Sequence, residues 1–189
     1  TGCHGFCERG TVLVIRPNNI FYQRGKVTDI PEIISQTVMK DEIIERLLYV
    51  DANTKQKVVH ENEVPFYARQ NRLVFGGNGF IDPNEIRDYL AEGGYEALAK
   101  ALAQQKPSEI IEEIKNSDLR GRGGGGFPTG TKWETTRQAL GEPKYVICNA
   151  DEGDPGAYMD RSLLEGNPHR VLEGMIIAAY AVGGQEGFI

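Results

Sequence analysis

Positions 121–130 read Gly121-Arg122-Gly123-Gly124-Gly125-Gly126-Phe127-Pro128-Thr129-Gly130, six glycines in ten residues. Each glycine inside a helix or strand costs roughly 0.5–1 kcal/mol relative to alanine, so regular structure must stop before this stretch and restart after it. A backbone without side chains can turn its N–H groups outward and approach an anionic, planar ligand closely. A helix predicted over 131–140 would aim its positive end at the same place, with Lys132 as a cation and Phe127 free to stack on a ring. A merely flexible surface loop is the rival reading, but arginine, phenylalanine and proline are interleaved with the glycines. The stretch contains G-x-G-x-x-G at Gly121, Gly123 and Gly126. A dinucleotide fingerprint, however, needs a strand before it, and 110–117 reads as helix. Lys132 does not directly follow Gly130, so a P-loop fails as well. A mononucleotide or ATP binder of another kind stays open.

Glycine is abundant throughout, 23 of 189 residues, about 12% against a usual ~7%. Hydrophobic residues at 40% and charged residues at 25% are ordinary globular values and exclude wholesale disorder. The net charge of −6 argues against a whole-chain grip on nucleic acid or anionic lipid. The longest apolar stretch, 175–182, falls far short of the ~20 residues that span a bilayer. Three cysteines and no secretory signal fit a reducing cytoplasm better than a disulfide framework. The chain opens on Thr1-Gly2-Cys3 without a methionine and ends where a strand is beginning, so it reads as a piece of a longer protein.

Organisation follows from periodicity. Residues 11–23 predict a hairpin, with Pro17-Asn18-Asn19 as its turn. Thr28 or Asp29 then caps a helix with Pro31 in its first turn and Ile30, Ile33, Ile34 and Val38 as its apolar face. A second short helix is predicted over 41–49, on the stripe Ile43, Ile44, Leu47 and Leu48. Residues 50–81 lack a period and read as an extended linker with one strand at Leu73-Val74-Phe75. Asp82-Pro83-Asn84-Glu85 is a helix start, with a pause at Gly93-Gly94. Ser108 opens a helix with Ile110, Ile111 and Ile114 buried. A buried strand is expected over 144–148, and helices over 161–165 and 169–182, separated by Asn167-Pro168. The fold class is α/β.

Directly after that strand lies Asn149-Ala150-Asp151-Glu152-Gly153-Asp154-Pro155-Gly156. Ligands of open α/β sheets sit beyond the carboxyl ends of strands, where an amide and three acids could bind ribityl or ribose hydroxyls. A turn with capping acids is the rival reading, and the spacing lacks the alternating oxygen pattern of a calcium loop. Cys3-His4-Gly5-Phe6-Cys7 is a C-x-x-x-C pair, able to hold one edge of a metal centre. A closed zinc or iron–sulfur site needs about four ligands, so the other two must lie upstream or on a partner. His4 reads as a loop residue, Cys148 as a buried structural thiol, His169 as a helix-start residue and Trp133 as core; His60 carries no signal.

Arg120-Gly121-Arg122-Gly123-Gly124-Gly125-Gly126-Phe127-Pro128-Thr129-Gly130, Cys148-Asn149-Ala150-Asp151-Glu152, Glu165-Gly166-Asn167-Pro168-His169 and Glu173-Gly174-Met175 together closely resemble the family of flavin-bearing, NADH-oxidising subunits found in respiratory complex I and in NAD(P)-linked hydrogenases and formate dehydrogenases. The resemblance covers about 80–189. The front part resembles the second half of a thioredoxin-like 2Fe-2S ferredoxin domain, and the fusion is similar to the beta subunit of electron-bifurcating or NADP-reducing iron-only hydrogenases. The resemblance implies a partial thioredoxin-like ferredoxin domain (1–49), a linker (50–81) and the N-terminal part of an FMN- and NAD-binding α/β domain (82–189). It implies that Gly121, Arg122, Gly123, Gly124, Gly126, Phe127 and Gly130 cradle FMN and NAD(H) or NADP(H), with Phe127 stacking on the dinucleotide. Lys132, Asn149 and Asp151 would hold flavin phosphate and ribityl groups, and Glu152 and Asp154 would lie toward the nicotinamide. Cys3 and Cys7 would be two of the four ligands of a 2Fe-2S cluster. Gly125 and Asp154 stand where the family commonly has alanine and glutamate, which leaves NADH against NADPH open, and Thr135 stands where a second stacking phenylalanine is often found.

The family's later flavin segment and its 4Fe-4S cysteines would lie beyond Ile189, so the chain is expected to hold half of each of two cofactor sites and to be inactive alone. The implied reaction is hydride transfer from nicotinamide to flavin and single-electron release to iron–sulfur centres, with no side chain serving as a general acid or base. The implied partners are ferredoxin-like and hydrogenase catalytic subunits of a hetero-oligomeric redox complex, and ferredoxin; no nucleic acid and no membrane span are expected. The rival from another class is a non-enzymatic ferredoxin-like module that docks subunits and binds no flavin.

Overall fold

The structure, a computed structural model, describes residues 4–189. Cys3 lies outside them. The described chain forms two compact units, 4–73 and 74–189, each of which mixes helices with a two-stranded sheet or sheets.

In the first unit the β-branched runs on either side of Pro17-Asn18-Asn19 pair as expected. β1 (Leu13–Ile15) and β2 (Ile20–Tyr22) are antiparallel in the register Leu13↔Tyr22 and Ile15↔Ile20. A 3-10 turn at Val27–Asp29 leads into α1 (Ile30–Glu32), which widens into a π-wound turn at Ile33–Val38. Here the expected apolar face is corrected. Ile33 and Thr37 are buried, whereas Ile30, Ile34 and Val38 are exposed. The hydroxyl of Tyr22 explains this, since it lies 2.7 Å from Thr37 Oγ1 and draws that residue inward.

The second helix expected over 41–49 is also corrected. Asp41 takes a left-handed φ of 58°, which ends helical winding. The chain then passes a 3-10 turn at Glu45–Leu47 into β3 (Tyr49–Val50). Ile44, Leu47 and Leu48 are still buried, against Ile20, Tyr22 and Ile33. Nor is 50–73 extended. β3 pairs antiparallel with β4 (Lys57–Val58) around an Asp51 turn whose Oδ1 accepts the N–H groups of Asn53 and Thr54 at 2.8 Å. A 3-10 turn at Glu61–Glu63 and α2 (Pro65–Ala68) follow. Val64, fully buried with Phe21 and Tyr49, pulls this segment onto the core. Leu73-Val74-Phe75 forms a bend in place of the expected strand.

In the second unit Asp82 caps a turn rather than a helix, accepting the N–H of Asn84 at 2.9 Å. α3 (Ile86–Ala91) starts four residues later on Glu85, and Gly93 at a φ of 81° separates it from α4 (Glu96–Gln104). Then come α5 (Pro107–Asn116), the glycine loop, α6 (Thr129–Gln138), β5 (Tyr145–Ile147), α7 (Met159–Gly166), α8 (Pro168–Val182) and β6 (Glu186–Phe188). The core is Ala101, Ile110, Ile111 and Ala181, with Trp133 packed against it as expected. β5 and β6 are parallel, in the register Val146↔Gly187. The expectation of a buried strand is corrected: Tyr145 and Ile147 are exposed and only Val146 turns inward. Among the described residues β5 has one partner strand and one covering helix, α8, so alternate residues face outward. Cys148, expected to be buried, is half-buried.

Candidate functional site

The glycine loop is a hairpin closed at its base and unpaired at its tip. Gly121 N–H donates to Phe127 O at 2.9 Å, Thr129 N–H donates to Leu119 O at 2.9 Å, and Arg120 bridges Pro128. Among the described residues, the N–H groups of residues 122–126 donate to no acceptor in the fold. Gly124 and Gly126 adopt φ values of 99° and 59°, conformations that side chains disfavour. A Cβ placed on Gly123, Gly124, Gly125 or Gly126 would meet nothing within 4 Å. The tip is therefore a row of free amide donors on open backbone. Phe127 and Lys132 are exposed beside it, and Arg122 projects from it.

Gly130 has a different job. It is buried, and a Cβ there would come within 2.7 Å of Lys115 N, so the absence of a side chain lets the first turn of α6 lie against the end of α5. Arg120, whose role was not evident from its place in the motif, reaches over the loop: Nη1 donates to Gly126 O at 3.5 Å and Nη2 to Asp118 Oδ1 at 3.2 Å.

The second predicted cluster follows β5, whose start is tied to two helix ends. Lys144 Nζ donates to Arg137 O at 2.8 Å, Arg137 donates to Ala181 O at 2.9 Å, and Gln185 N–H donates to Lys144 O at 3.0 Å. These bonds tie the C-terminal ends of α6 and α8 to the start of β5. α6 and β5 both pack on α8, and the second cluster, directly after β5, lies at the carboxyl end of a strand, where ligands of α/β sheets bind.

Within that segment Asn149 Oδ1 accepts Asp151 N–H at 2.9 Å, and the side chains of Asp151 and Asp154 are exposed. Glu152 is engaged. Its two oxygens accept the N–H groups of Asp160 and Arg161 at 3.0 and 3.2 Å, capping α7. Burial opposes ionisation of Glu152, but backbone donors at Asp160, Arg161 and Met159 outweigh it and hold the carboxyl below its ordinary value. The capping role was thus one half of the rival reading of this cluster.

Sequence reasoning missed the role of Glu173. It is 8% exposed, and it accepts Tyr89 Oη at 2.5 Å, Tyr95 N–H at 3.0 Å and Leu98 N–H at 3.0 Å. A residue of α8 thereby caps the start of α4, where Tyr95 cannot cap with its own side chain. Tyr95 Oη in turn lies 3.0 Å from His169 Nδ1, and His169 stacks on Tyr89. Burial works against the Glu173 carboxylate, yet Tyr89, Leu98 and Tyr95 lower its pKa from the usual value. Burial and then Glu173 push the Tyr89 phenol up to about 12. The available signal was a lone acid inside an otherwise apolar helical stretch.

The donor set fits a flavin mononucleotide. Free amides on a glycine loop suit phosphate, exposed Phe127 offers a ring face, and Asn149 and Asp151 offer hydroxyl partners. The first unit presents the cysteine loop. Cys7 is exposed on a 3-10 turn at Cys7–Arg9, and Gly5 at a φ of 77° bends the loop before it. The buried Nε2 of His4, Nε of Arg9 and Nε of Arg72 have no hydrogen-bond partner among the described residues. Among the described residues no group of three or more metal-ligating side chains is assembled.

A family model described as Nuo51 FMN-binding domain matches residues 114–189. The chain is 50% identical over 108 residues to the F 2 polypeptide of the NADH-quinone oxidoreductase of Rhizobium meliloti (strain 1021), covering 57% of this chain and 26% of that protein. It is 50% identical over 121 residues to NADP-reducing hydrogenase subunit HndC of Solidesulfovibrio fructosivorans, covering 64% and 24%. The NAD-reducing hydrogenase HoxS subunit alpha of Cupriavidus necator aligns with 100% of this chain at 36% identity, over 29% of its own length. The crystal structure of an NAD+-reducing [NiFe]-hydrogenase in the air-oxidized state covers 98% of this chain and 28% of its own at 26% identity, with a TM-score of 0.49 that adds nothing to the fold described above. The chain thus spans less than a third of the length of the curated relatives it matches. Residues 114–189, which hold the motifs from Arg120 to Met175, match the family of the Nuo51 FMN-binding domain.

Proposed function

We propose that this chain is part of an NAD(P)H-oxidising flavoprotein subunit that passes electrons through FMN to iron–sulfur clusters within a hydrogenase or complex I-like assembly. The observation that carries this reading is the tip of the glycine loop, free amide donors at residues 122–126 on glycines that no neighbour crowds, inside the segment matching the FMN-binding family.

In this reading residues 122–126 and Lys132 hold the phosphate, and the α6 N-terminus adds its positive end. Asn149 and Asp151 bind ribityl hydroxyls, Phe127 stacks on the dinucleotide, and Asp154 lies toward the nicotinamide. Gly121 closes the loop, Gly130 sets α6 on α5, and Glu152 holds α7 beside the site. When bound, FMN supplies the exchange of a two-electron hydride for single electrons; the chain's residues bind and orient, and none transfers a proton. The first unit, a cysteine loop followed by a hairpin and a helix, is read as the second half of a thioredoxin-like domain. There Cys3 and Cys7 give two ligands of a 2Fe-2S cluster. Ferredoxin-like and hydrogenase catalytic subunits are the partners, and a reducing cytoplasm the compartment.

Titrating the complete polypeptide with FMN tests this. Quenching of flavin fluorescence, followed by bleaching of the bound flavin on adding NADH or NADPH, is expected. A chain that ignores FMN and binds ATP at the loop, or that binds neither, defeats the reading.

A further inference from the structure

A glycine peptide can turn either of its faces outward, so a run of glycines does not by itself decide whether amides or carbonyls meet a ligand. At the end of the loop that choice is made by a neighbour. Gly126, at a φ of 59°, turns its carbonyl to Arg120, whose Nη1 donates to it at 3.5 Å. A trans peptide such as Gly126–Phe127 holds its C=O and N–H on opposite sides. The Phe127 N–H is therefore aimed away from Arg120. Among the described residues it donates to no acceptor in the fold, like the N–H groups of residues 122–126.

The guanidinium is itself anchored. Its Nη2 donates to Asp118 Oδ1 at 3.2 Å. Asp118 takes a left-handed φ of 50° and donates its own N–H to Lys115 O, in the last turn of α5, at 3.1 Å. The side chains of Arg120 and Asp118 are 52% and 73% exposed, and an ion pair so open to water contributes little to folding stability. Its placement answers better to the loop than to the fold.

We infer that Arg120 is a positioning residue for the ligand of the glycine loop. Anchored by Asp118, it fixes the Gly126–Phe127 peptide with the carbonyl inward, so that the Phe127 N–H joins the amides that meet the phosphate of FMN. Turned the other way, the Gly126 carbonyl would set partial negative charge against the anion, where amide donors are needed. The inference rests on the reading of this loop as an FMN site.

The test is a titration of the complete polypeptide with FMN, followed by quenching of flavin fluorescence, with a thermal melt of each variant. In Arg120→Gln and Arg120→Met the Kd for FMN should rise about five- to tenfold, with the thermal midpoint nearly unchanged. Arg120→Lys keeps the charge but not the two-armed fork and should recover little of the loss. Asp118→Gly removes the carboxylate without straining a left-handed backbone. It should weaken binding in the same direction, and add little on top of Arg120→Gln because the two residues act as one. Unchanged affinity in both neutral variants overturns the inference, as does a thermal midpoint that falls together with the affinity. Near-full recovery in Arg120→Lys, or tighter binding in Asp118→Gly, also overturns it, since either makes Arg120 a direct cation for the phosphate. A wild-type chain that binds no FMN overturns the underlying reading instead.

Discussion

At the scale of single residues, two glycines on either side of Phe127 answer to different physics. Gly124 holds a φ of 99° with open space around its Cα, whereas Gly130 is pressed to within 2.7 Å of the Lys115 backbone. Gly124→Val should therefore leave the thermal midpoint nearly unchanged, since an unpaired, uncrowded loop can relax into another backbone conformation, while weakening FMN binding about tenfold or more, since the relaxed loop no longer presents its amides and the side chain blocks the approach. Gly130→Ala should do the reverse, lowering stability by about 1–3 kcal/mol through overpacking between α5 and α6. Paired flavin titrations and thermal melts separate the two. Glu173 gives a third outcome. Its carboxyl is depressed below the ordinary value by the donors that meet it. The stability it contributes is thus present above the unfolded-state value of about 4.5 and is lost as pH falls through the folded one. Glu173→Gln, which cannot accept all three donors equally, should cost about 1–3 kcal/mol at neutral pH. It should also flatten the decline in stability on acidification, measured as urea midpoints across the acid range; an unchanged decline would assign it to other groups.

At the scale of elements, what the sequence shows and what it conceals divide by where the deciding partner lies. The hairpin of β1 and β2, the break at Gly93-Gly94 and the boundary at Asn167-Pro168 were legible because the turn chemistry is local. The inward face of the α1 segment was not, because Thr37 is drawn in by the hydroxyl of Tyr22, fifteen residues away. β5 reads as a buried strand by composition, yet a strand with one neighbour and one covering helix exposes alternate residues. The position of the candidate site was legible for the same local reason, since a glycine run can only be loop. The separate duties of Gly130 and Glu152 were not, since they depend on Lys115 and on the start of α7. Asn167 illustrates an element boundary under load. Buried to 3% exposure, it accepts Arg170 N–H at 3.2 Å and caps α8. Asn167→Ala should cost about 1 kcal/mol, read as a lowered denaturation midpoint, with Asn167→Asp or Asn167→Ser recovering most of the loss if capping is its main role.

At the scale of the molecule, each unit has its own core: Phe21, Tyr49 and Val64 beside Ile20, Tyr22 and Leu48 in one, and Ala101, Ile110, Ile111 and Ala181 in the other. The single tryptophan, Trp133, packs against the second of these clusters. Its fluorescence therefore reports on the unit that carries the glycine loop, while amide protection at Phe21 and Tyr22 reports on the unit that carries the cysteine loop. Val64→Ala removes methyl groups from a fully buried position and should destabilise the first unit by about 1–3 kcal/mol. Ile111→Ala should do the same or more to the second. Cooperative units respond to substitutions in their own cores. Val64→Ala is thus expected to shift the denaturant midpoint of the amide reporters and leave the Trp133 transition in place, with Ile111→Ala acting in the opposite sense. If either substitution moves both reporters equally, the two cores unfold as one cooperative body, and cofactor loading at one loop would then stabilise the other by mass action.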